Sequence, residues 1–193
     1  MKKGFLIVYS GPSGVGKGTI LKELLPKKSL KLCFSVSMTT RDPRPGEVEG
    51  KDYFFVSRDR FKEAIKNKEL LEYAEFVGNY YGTPYQYVKD MTEKGYNVVL
   101  EIETKGAKQV LKKYGDENVL SIYIAPPSMK ELENRLLARN TEPIDIIKKR
   151  IATAKREMKN LDLFDYVVVN DDLKTAIKDV EKIIKTEMKK STH

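Results

Sequence analysis

The stretch that decides the fold is Gly11-Pro-Ser-Gly-Val-Gly-Lys17, which has the spacing G-x-x-x-x-G-K. It follows a short apolar run at 5–9 that predicts a buried strand, and it precedes a helical pattern from Lys17 to Pro26. Glycines here let backbone N–H groups converge on phosphate oxygens, while the helix start and Lys17 add positive charge. The motif in this context predicts a phosphate-binding loop. Its predicted contact residues are Gly11, Pro12, Ser13, Gly14, Val15, Gly16, Lys17, Gly18 and Thr19.

One position of the loop departs from the usual pattern. Ser or Thr commonly follows the lysine and contacts Mg²⁺, but Gly18 stands there and Thr19 comes one residue later. Mg²⁺ retains several waters and binds nucleotide phosphates readily. We therefore expect Mg²⁺ as a cofactor without a strong protein ligand, Thr19 serving at most through a water molecule.

Strand-length apolar runs that alternate with helical patterns indicate an α/β fold. These runs lie at 5–9, 97–102, 119–125 and 165–169, and the segments between them favour right-handed crossovers of a parallel sheet. The sequence predicts one domain over 1–193 with a three-layer sheet core. The core is expected to comprise residues 1–34, 88–127 and 162–193.

Two segments interrupt this alternation. Residues 35–87 are rich in Gly, Pro, Tyr and Arg, with strand-like pieces at 52–56 and 70–77 and a helical pattern at 60–67. They predict an inserted α+β subdomain. Residues 128–161 predict two charged helices, the first with a capping box formed by Ser128 and Glu131, the second opened by Pro143.

Composition excludes several classes of protein. No run approaches the ~18 apolar residues of a membrane helix, and the single Cys33 and single His193 exclude a disulfide framework and His-rich zinc chemistry. The net charge is +8, which suits either nucleic acid or small polyanions such as nucleotides. The aromatic residues cluster in 35–87 rather than among the lysines, so we expect nucleotides, with no nucleic acid and no membrane as partners. A cytoplasmic location is expected, and the oligomeric state stays open.

Motifs in the inserted segment and near the end of the chain resemble the guanylate kinase family, and the resemblance covers essentially the whole chain. The resemblance lies in Ser35-Val-Ser-Met-Thr-Thr-Arg41-Asp-Pro-Arg44-Pro-Gly-Glu47, in Gly50-Lys-Asp-Tyr53, in Gly78-Asn-Tyr-Tyr81-Gly-Thr83, and in Val169-Asn-Asp-Asp172. It implies transfer of the γ-phosphoryl group of ATP to GMP, and to dGMP, in purine nucleotide metabolism. It also implies that the phosphate loop binds ATP, that 35–87 is a GMP-binding subdomain, and that 128–161 is a lid.

The chemistry of the residues agrees with these implied roles. Arg41 and Arg44 stand three residues apart in a Pro-rich loop, and guanidinium groups bind phosphate through paired hydrogen bonds. Tyr53 and Tyr81 are expected to donate hydroxyl groups to the same phosphate.

Guanine offers two donors beside one acceptor, so a carboxylate complements the donors and a hydroxyl complements O6. By position in the family, Glu72 is the carboxylate, and Ser37 and Thr83 supply hydroxyl groups. Glu101 and Glu103, at the end of the run at 97–102, are further candidates on the GMP side, although the family more often has Asp at the second position.

In the lid, the turn Arg139-Asn-Thr-Glu142 resembles that of guanylate kinases, with Asn140 where Gly is commoner. Arg139 and Arg150 are expected to contact phosphates on closure, and Asn170 matches the position that contacts adenine. The expected catalytic residues are Lys17, Arg41, Arg139 and Arg150, acting with Mg²⁺ on the transferred group.

Other functions remain open at this point. A guanylate-kinase-like binding module that has lost catalysis would share the fold, but the intact Lys17, Arg41, Arg44 and Glu72 argue against it. The loop sequence G-K-G-T also occurs in adenylate kinases, so the loop does not select the acceptor. Another nucleoside monophosphate kinase is therefore the alternative within the enzyme class.

Overall fold

The structure, a computed structural model, describes residues 2–76, 78–114, 118–138 and 143–190. Within these ranges the chain forms seven α-helices and nine β-strands. In chain order they are β1 Leu6–Ser10, α1 Lys17–Leu24, β2 Leu32–Phe34, β3 Ser37–Thr39, β4 Tyr53–Phe55, α2 Arg58–Lys66, β5 Leu70–Phe76, β6 Asn79–Pro84, α3 Tyr85–Glu93, β7 Asn97–Glu101, α4 Thr104–Tyr114, β8 Val119–Ala125, α5 Met129–Ala138, α6 Ile144–Glu157, β9 Tyr166–Val169 and α7 Leu173–Lys190.

The main sheet has five parallel strands in the order β2-β7-β1-β8-β9. All five residues of β1 are buried, because side chains leave the central strand on both faces. Ile7 packs in a core with α1, α5, α6 and α7, whereas Val8 packs in a second core with α3 and α4. This arrangement confirms the three-layer α/β fold expected from the alternating pattern.

The inserted segment forms a separate mixed sheet in the order β4-β3-β6-β5. Strands β3 and β4 run parallel, while β6 is antiparallel to both β3 and β5. Met38, Phe61 and Leu70 give this sheet a small core of its own with α2. Helix α2 begins at Arg58, two residues before the predicted start, because the Ser57 hydroxyl accepts a hydrogen bond from the Arg60 N–H and caps the helix.

The two charged helices are α5 and α6, which pack against each other. The Ser128 hydroxyl accepts a hydrogen bond from the Glu131 N–H at 3.0 Å, as the capping pattern predicts. Helix α6 begins at Ile144, one residue after the predicted start, and Pro143 is its N-cap residue. No helix in the described parts of the chain combines the length and the apolar character needed to cross a membrane.

Candidate active site

The phosphate loop connects the carboxyl end of β1 to the first residue of α1, Lys17. Gly11 has a φ of +149°, and a Cβ at this position would lie 2.4 Å from the carbonyl oxygen of Ile124 on β8. Only glycine allows the chain to pass this close to the neighbouring strand. The loop therefore leaves the sheet at the edge where the carboxyl ends of β1, β7 and β8 meet, which is where ligands bind in parallel α/β sheets.

Asn170, the residue that follows β9, lies directly against this loop. Its side-chain amide donates a hydrogen bond to the carbonyl oxygen of Val15 at 2.8 Å, and the residue is 5% exposed. Gly16 has a φ of +100°, and a Cβ there would lie 2.5 Å from the same amide nitrogen. Asn170 therefore holds the loop in shape. Its predicted contact with adenine stays a prediction.

Lys17 reaches back over the loop that precedes it. Its Nζ donates hydrogen bonds to the carbonyl oxygens of Gly11 at 2.6 Å and Pro12 at 3.2 Å. Arg150 on α6 hydrogen-bonds through Nη1 to the hydroxyl of Ser13 in the loop. The structure therefore brings two of the predicted cationic residues to the phosphate loop. Arg139 and the turn at 139–142 lie outside the described residues.

A cleft of about 580 Å³ separates the loop from α6. Its lining includes Glu101, the last residue of β7, Glu103 two residues further on, and Lys149, Arg150 and Phe76. Glu101 also lines the opening beside Gly18 and Thr19. Both glutamates therefore lie at the cleft beside the phosphate loop, and their contact with GMP stays a prediction.

Glu157, the last residue of α6, is a member of this cleft that sequence reasoning missed. Burial raises the pKa of its carboxyl group, and the Glu103 charge raises it further. The backbone N–H and hydroxyl of Thr104 and the Lys17 cation act in the opposite direction. No motif marks this residue in the sequence, and the only signal is its place at the end of a cationic helix.

Arg41 lies close to two other predicted phosphate-binding residues, Tyr53 and Tyr81, and shares the partner Glu47 with a third, Arg44. Its guanidinium lies 5.4 Å from the centre of the Tyr53 ring, and the Tyr53 and Tyr81 rings are 6.2 Å apart. Both oxygens of Glu47 accept hydrogen bonds from Arg41 Nη2, at 2.7 and 2.9 Å. One of them also accepts from the Arg44 N–H at 2.7 Å.

Glu47 is therefore the residue that organises this cluster, and sequence reasoning gave it no role. Its hydrogen bonds with Arg41 and with the Arg44 backbone hold the pKa of its carboxyl group below the usual range. The same hydrogen bond from Arg41 to Glu47 raises the pKa of the guanidinium, with a further contribution from Tyr81. Arg41 thus stays fully charged and oriented before any anion arrives.

The candidate base-binding residues lie on adjacent strands of the inserted sheet. Glu72 on β5 is 8% exposed, and the Thr83 hydroxyl on β6 donates to its Oε1 at 2.8 Å. Burial raises the pKa of Glu72, and hydrogen bonds from the Thr83 hydroxyl and N–H partly counter the shift. Ser37 on β3 pairs with Tyr53 in the strand ladder. A buried carboxylate of this kind is suited to reading paired N–H donors.

This fold and site define a class. A glycine-rich loop between a parallel strand and a helix, with a lysine at its end and arginines beside it, is the architecture of P-loop proteins that bind nucleoside phosphates. The family model described as "Guanylate kinase" matches residues 3–187. Guanylate kinases of two Streptococcus thermophilus strains are each 50% identical over 186 residues, covering 96% of this chain and 88% of the relative. The chain belongs to the guanylate kinase family.

Solved structures agree with this assignment. The crystal structure of guanylate kinase from Anaplasma phagocytophilum aligns with a TM-score of 0.70 and 36% identity, over 96% of this chain and 87% of that chain. The SH3-kinase fragment of tight junction protein 3, in its apo form, aligns with a TM-score of 0.51 and 14% identity, over 96% of this chain and 57% of that one. The second likeness concerns the fold alone.

Proposed function

We propose that the chain transfers the γ-phosphoryl group of ATP to GMP, giving ADP and GDP, with Mg²⁺ bound to the nucleotide. Guanylate kinase activity, the ATP-dependent phosphorylation of GMP, follows from its family membership. The observation that carries the residue assignments is the presence of two separate cationic clusters in one chain, which we assign as anion sites. One is the loop at Lys17, and the other is the Arg41 cluster beside the buried Glu72.

The donor side is assigned to the phosphate loop. Backbone N–H groups of residues 11–19 would bind the phosphates of ATP, with Lys17 moving from its carbonyl partners to phosphate oxygens. Arg150 already lies against Ser13 and is placed to add a second cation. Arg139 is assigned to the same role as part of a lid over 128–161.

The acceptor side is assigned to the inserted sheet. Arg41 and Arg44 would bind the phosphate of GMP, together with the hydroxyl groups of Tyr53 and Tyr81. Glu72, with Ser37 and Thr83, would bind guanine.

Phosphoryl transfer requires little covalent chemistry from the protein. The attacking atom is already a phosphate oxygen, so no general base is required, and the protein positions the groups and neutralises their charge. Closing the cleft would exclude water and limit hydrolysis of ATP.

Mg²⁺ suits the oxygen groups beside the loop. A side chain at Gly18 would meet no atom within 4 Å, so there is room for an ion and its waters, and Thr19 and Glu101 line the same opening. Among the described residues no group of three acidic, His or Cys side chains could enclose a metal ion. One or two protein oxygens with nucleotide phosphates and waters is the coordination that Mg²⁺ prefers. Bound there, Mg²⁺ would neutralise charge on the phosphates.

The test is a coupled assay of ADP release with GMP, dGMP, AMP, UMP or CMP as acceptor. Adenine would turn a bare N1 acceptor toward the Glu72 carboxylate, and a site that hydrogen-bonds one substrate rejects such an analogue by about 10⁴–10⁵. We expect GMP and dGMP to be used and AMP to be rejected to this degree. The absence of GMP-dependent ADP release would contradict the proposal and favour a binding module without transfer activity.

Glu72→Gln tests the assignment of the base. It replaces an acceptor by a donor in a buried site, and such a mismatch typically costs about 1–3 kcal/mol. We expect kcat/KM for GMP to fall by roughly 10- to 10²-fold while the KM for ATP is unchanged. An unchanged ratio of GMP to AMP in kcat/KM would remove Glu72 from base recognition.

A further inference from the structure

Gln109, on α4 of the core, joins this helix to the inserted sheet. The Tyr73 N–H donates to its Oε1 at 3.4 Å, and its Nε2 donates to the Tyr73 carbonyl oxygen at 3.3 Å. A glutamine side chain carries the same donor and acceptor as a peptide group. Gln109 therefore pairs with β5 much as a neighbouring strand would.

Strand β5 needs such a partner at this point. It is the last strand in the order β4-β3-β6-β5, so one of its edges is free of strand pairing. Its register with β6 shifts between Leu70 and Tyr73, and Glu72 lies within that irregularity. An irregularity of this kind redirects a side chain, so the ladder alone does not fix where Glu72 points.

The same face of α4 also lies against the Glu72 carboxylate. A Cβ on Gly106, three residues before Gln109, would lie 3.4 Å from Glu72 Oε2. The other oxygen, Oε1, is held by Thr83. Helix α4 is itself fixed to the main sheet by Ala107 and Val110, which are fully buried. One helix of the core thus contacts both the carboxylate and the backbone of the next residue.

We propose that Gln109 is a positioning residue for recognition of the acceptor base: it fixes the irregular part of β5 against α4 and thereby aims the Glu72 carboxylate. The inference rests on the proposed role of Glu72 in binding guanine. It predicts an effect on GMP binding and on base selection, with turnover at saturating GMP preserved, because Gln109 touches neither the phosphates nor the phosphate loop.

Two variants of similar volume separate hydrogen bonding from packing. Gln109→Glu keeps an acceptor but turns a carboxylate oxygen toward the Tyr73 carbonyl, and Gln109→Met removes both hydrogen bonds without adding charge. For both we expect the KM for GMP to rise about tenfold, equivalent to roughly 1.4 kcal/mol. We expect kcat to stay within about twofold, and the GMP-to-AMP ratio of kcat/KM to fall by a similar factor.

Hydrogen exchange gives a readout independent of activity. In Gln109→Met the Tyr73 amide loses its acceptor and should exchange faster. In Gln109→Glu the acceptor is kept, but the Tyr73 carbonyl oxygen repels the second carboxylate oxygen and weakens the pair, so the amide should exchange faster by a smaller factor. The matched control is Gln86→Ala, because within the described ranges the Gln86 amide donates to Asp90 of its own helix, at 2.6 Å, and to no other side chain. This control should leave the KM for GMP and the Tyr73 exchange rate unchanged.

Glu72→Gln, measured in parallel, separates the two assignments. If it lowers the GMP-to-AMP ratio while both Gln109 variants keep the wild-type KM and ratio, Glu72 reads the base and the positioning role of Gln109 is wrong. If Glu72→Gln leaves the GMP-to-AMP ratio of kcat/KM unchanged, the role proposed for Glu72 is wrong. The positioning role of Gln109, which depends on it, is then wrong too. A fall in kcat with an unchanged KM would also overturn the positioning role.

Discussion

Replacing Asn170 with alanine should weaken both the stability of the protein and its use of ATP. The side chain donates a 2.8 Å hydrogen bond to the Val15 carbonyl inside the phosphate loop and is almost completely buried. Alanine leaves that carbonyl oxygen without its donor, and a buried group left unpaired costs about 1–3 kcal/mol. Two hydrogen bonds of the Asn170 backbone, to the Ala125 carbonyl and from Arg135, do not depend on the side chain and are retained.

The expected magnitude can be measured in two ways. A loss of about 2 kcal/mol corresponds to a decrease of roughly 4–8 °C in Tm for a chain of this size. Because the loop loses its shape before ATP binds, the KM for ATP should rise by about tenfold, whereas the KM for GMP should change little. Thermal melting of the free protein and a coupled assay of nucleoside diphosphate release, with ATP or GTP as donor, provide the data.

The matched control is Asn118→Ala. The Asn118 amide also donates to a backbone carbonyl, that of Gly4 at 2.6 Å, but it lies before β8, at the opposite end of the strands from the phosphate loop. This variant should be destabilised without a change in the KM for ATP. If Asn170→Ala melts like the wild type and alters only the preference for ATP over GTP, the residue reads adenine and does not support the loop.

Four further outcomes can be checked. Lys17→Ala should keep the Tm and lower kcat/KM by at least about 10²-fold, and near wild-type turnover would contradict the assignment of the loop. Arg139→Ala and Arg150→Ala should lower kcat more than they raise the KM for GMP, because these charges act after closure, and the opposite split would remove them from the lid. Gly18→Ser adds a hydroxyl where a Cβ meets no other atom, so half-maximal activity should need severalfold less Mg²⁺, and an unchanged Mg²⁺ titration would place the ion elsewhere. Glu157 has a raised pKa in the folded protein, so its charging opposes folding as the pH rises from the ordinary glutamate range through that raised pKa. The Tm of Glu157→Gln minus that of the wild type should therefore increase from pH 4 to pH 7. A Tm difference that stays constant across this range would exclude the effect.

The elements that sequence predicted well are those whose pattern is set by burial on both faces. Strand β8 was predicted at its observed bounds and β1 within one residue, since a continuous apolar run in a central parallel strand has no polar face to obscure it. Strands β2 and β3 were not predicted. Each has only three residues, so no periodicity can emerge, and neither is wholly aromatic like the equally short β4, whose composition favours a strand.

The residues of the candidate site also separate into those that the sequence predicts and those that it does not. Motif spacing predicts the loop residues and Lys17, because the strand, the turn and the helix are consecutive in the chain. The contact of Asn170 with Val15 joins residues 155 positions apart, and the roles of Glu47 and Gln109 depend on side-chain directions. Such contacts follow from tertiary packing and leave no local pattern in the sequence.

The strand order has a consequence for how the chain folds as it is synthesised. Strand β1 emerges first, yet its two neighbours in the sheet are β7 and β8, so one edge of its backbone stays unpaired until residues 97–101 have left the ribosome and the other until residues 119–125 have. The strands of the inserted sheet all lie between residues 37 and 84, and β5 and β6 are consecutive. Local contacts form before distant ones. The sheet that carries Glu72 should therefore form on the nascent chain before β1, the strand that leads into the phosphate loop, has paired with β7 and β8.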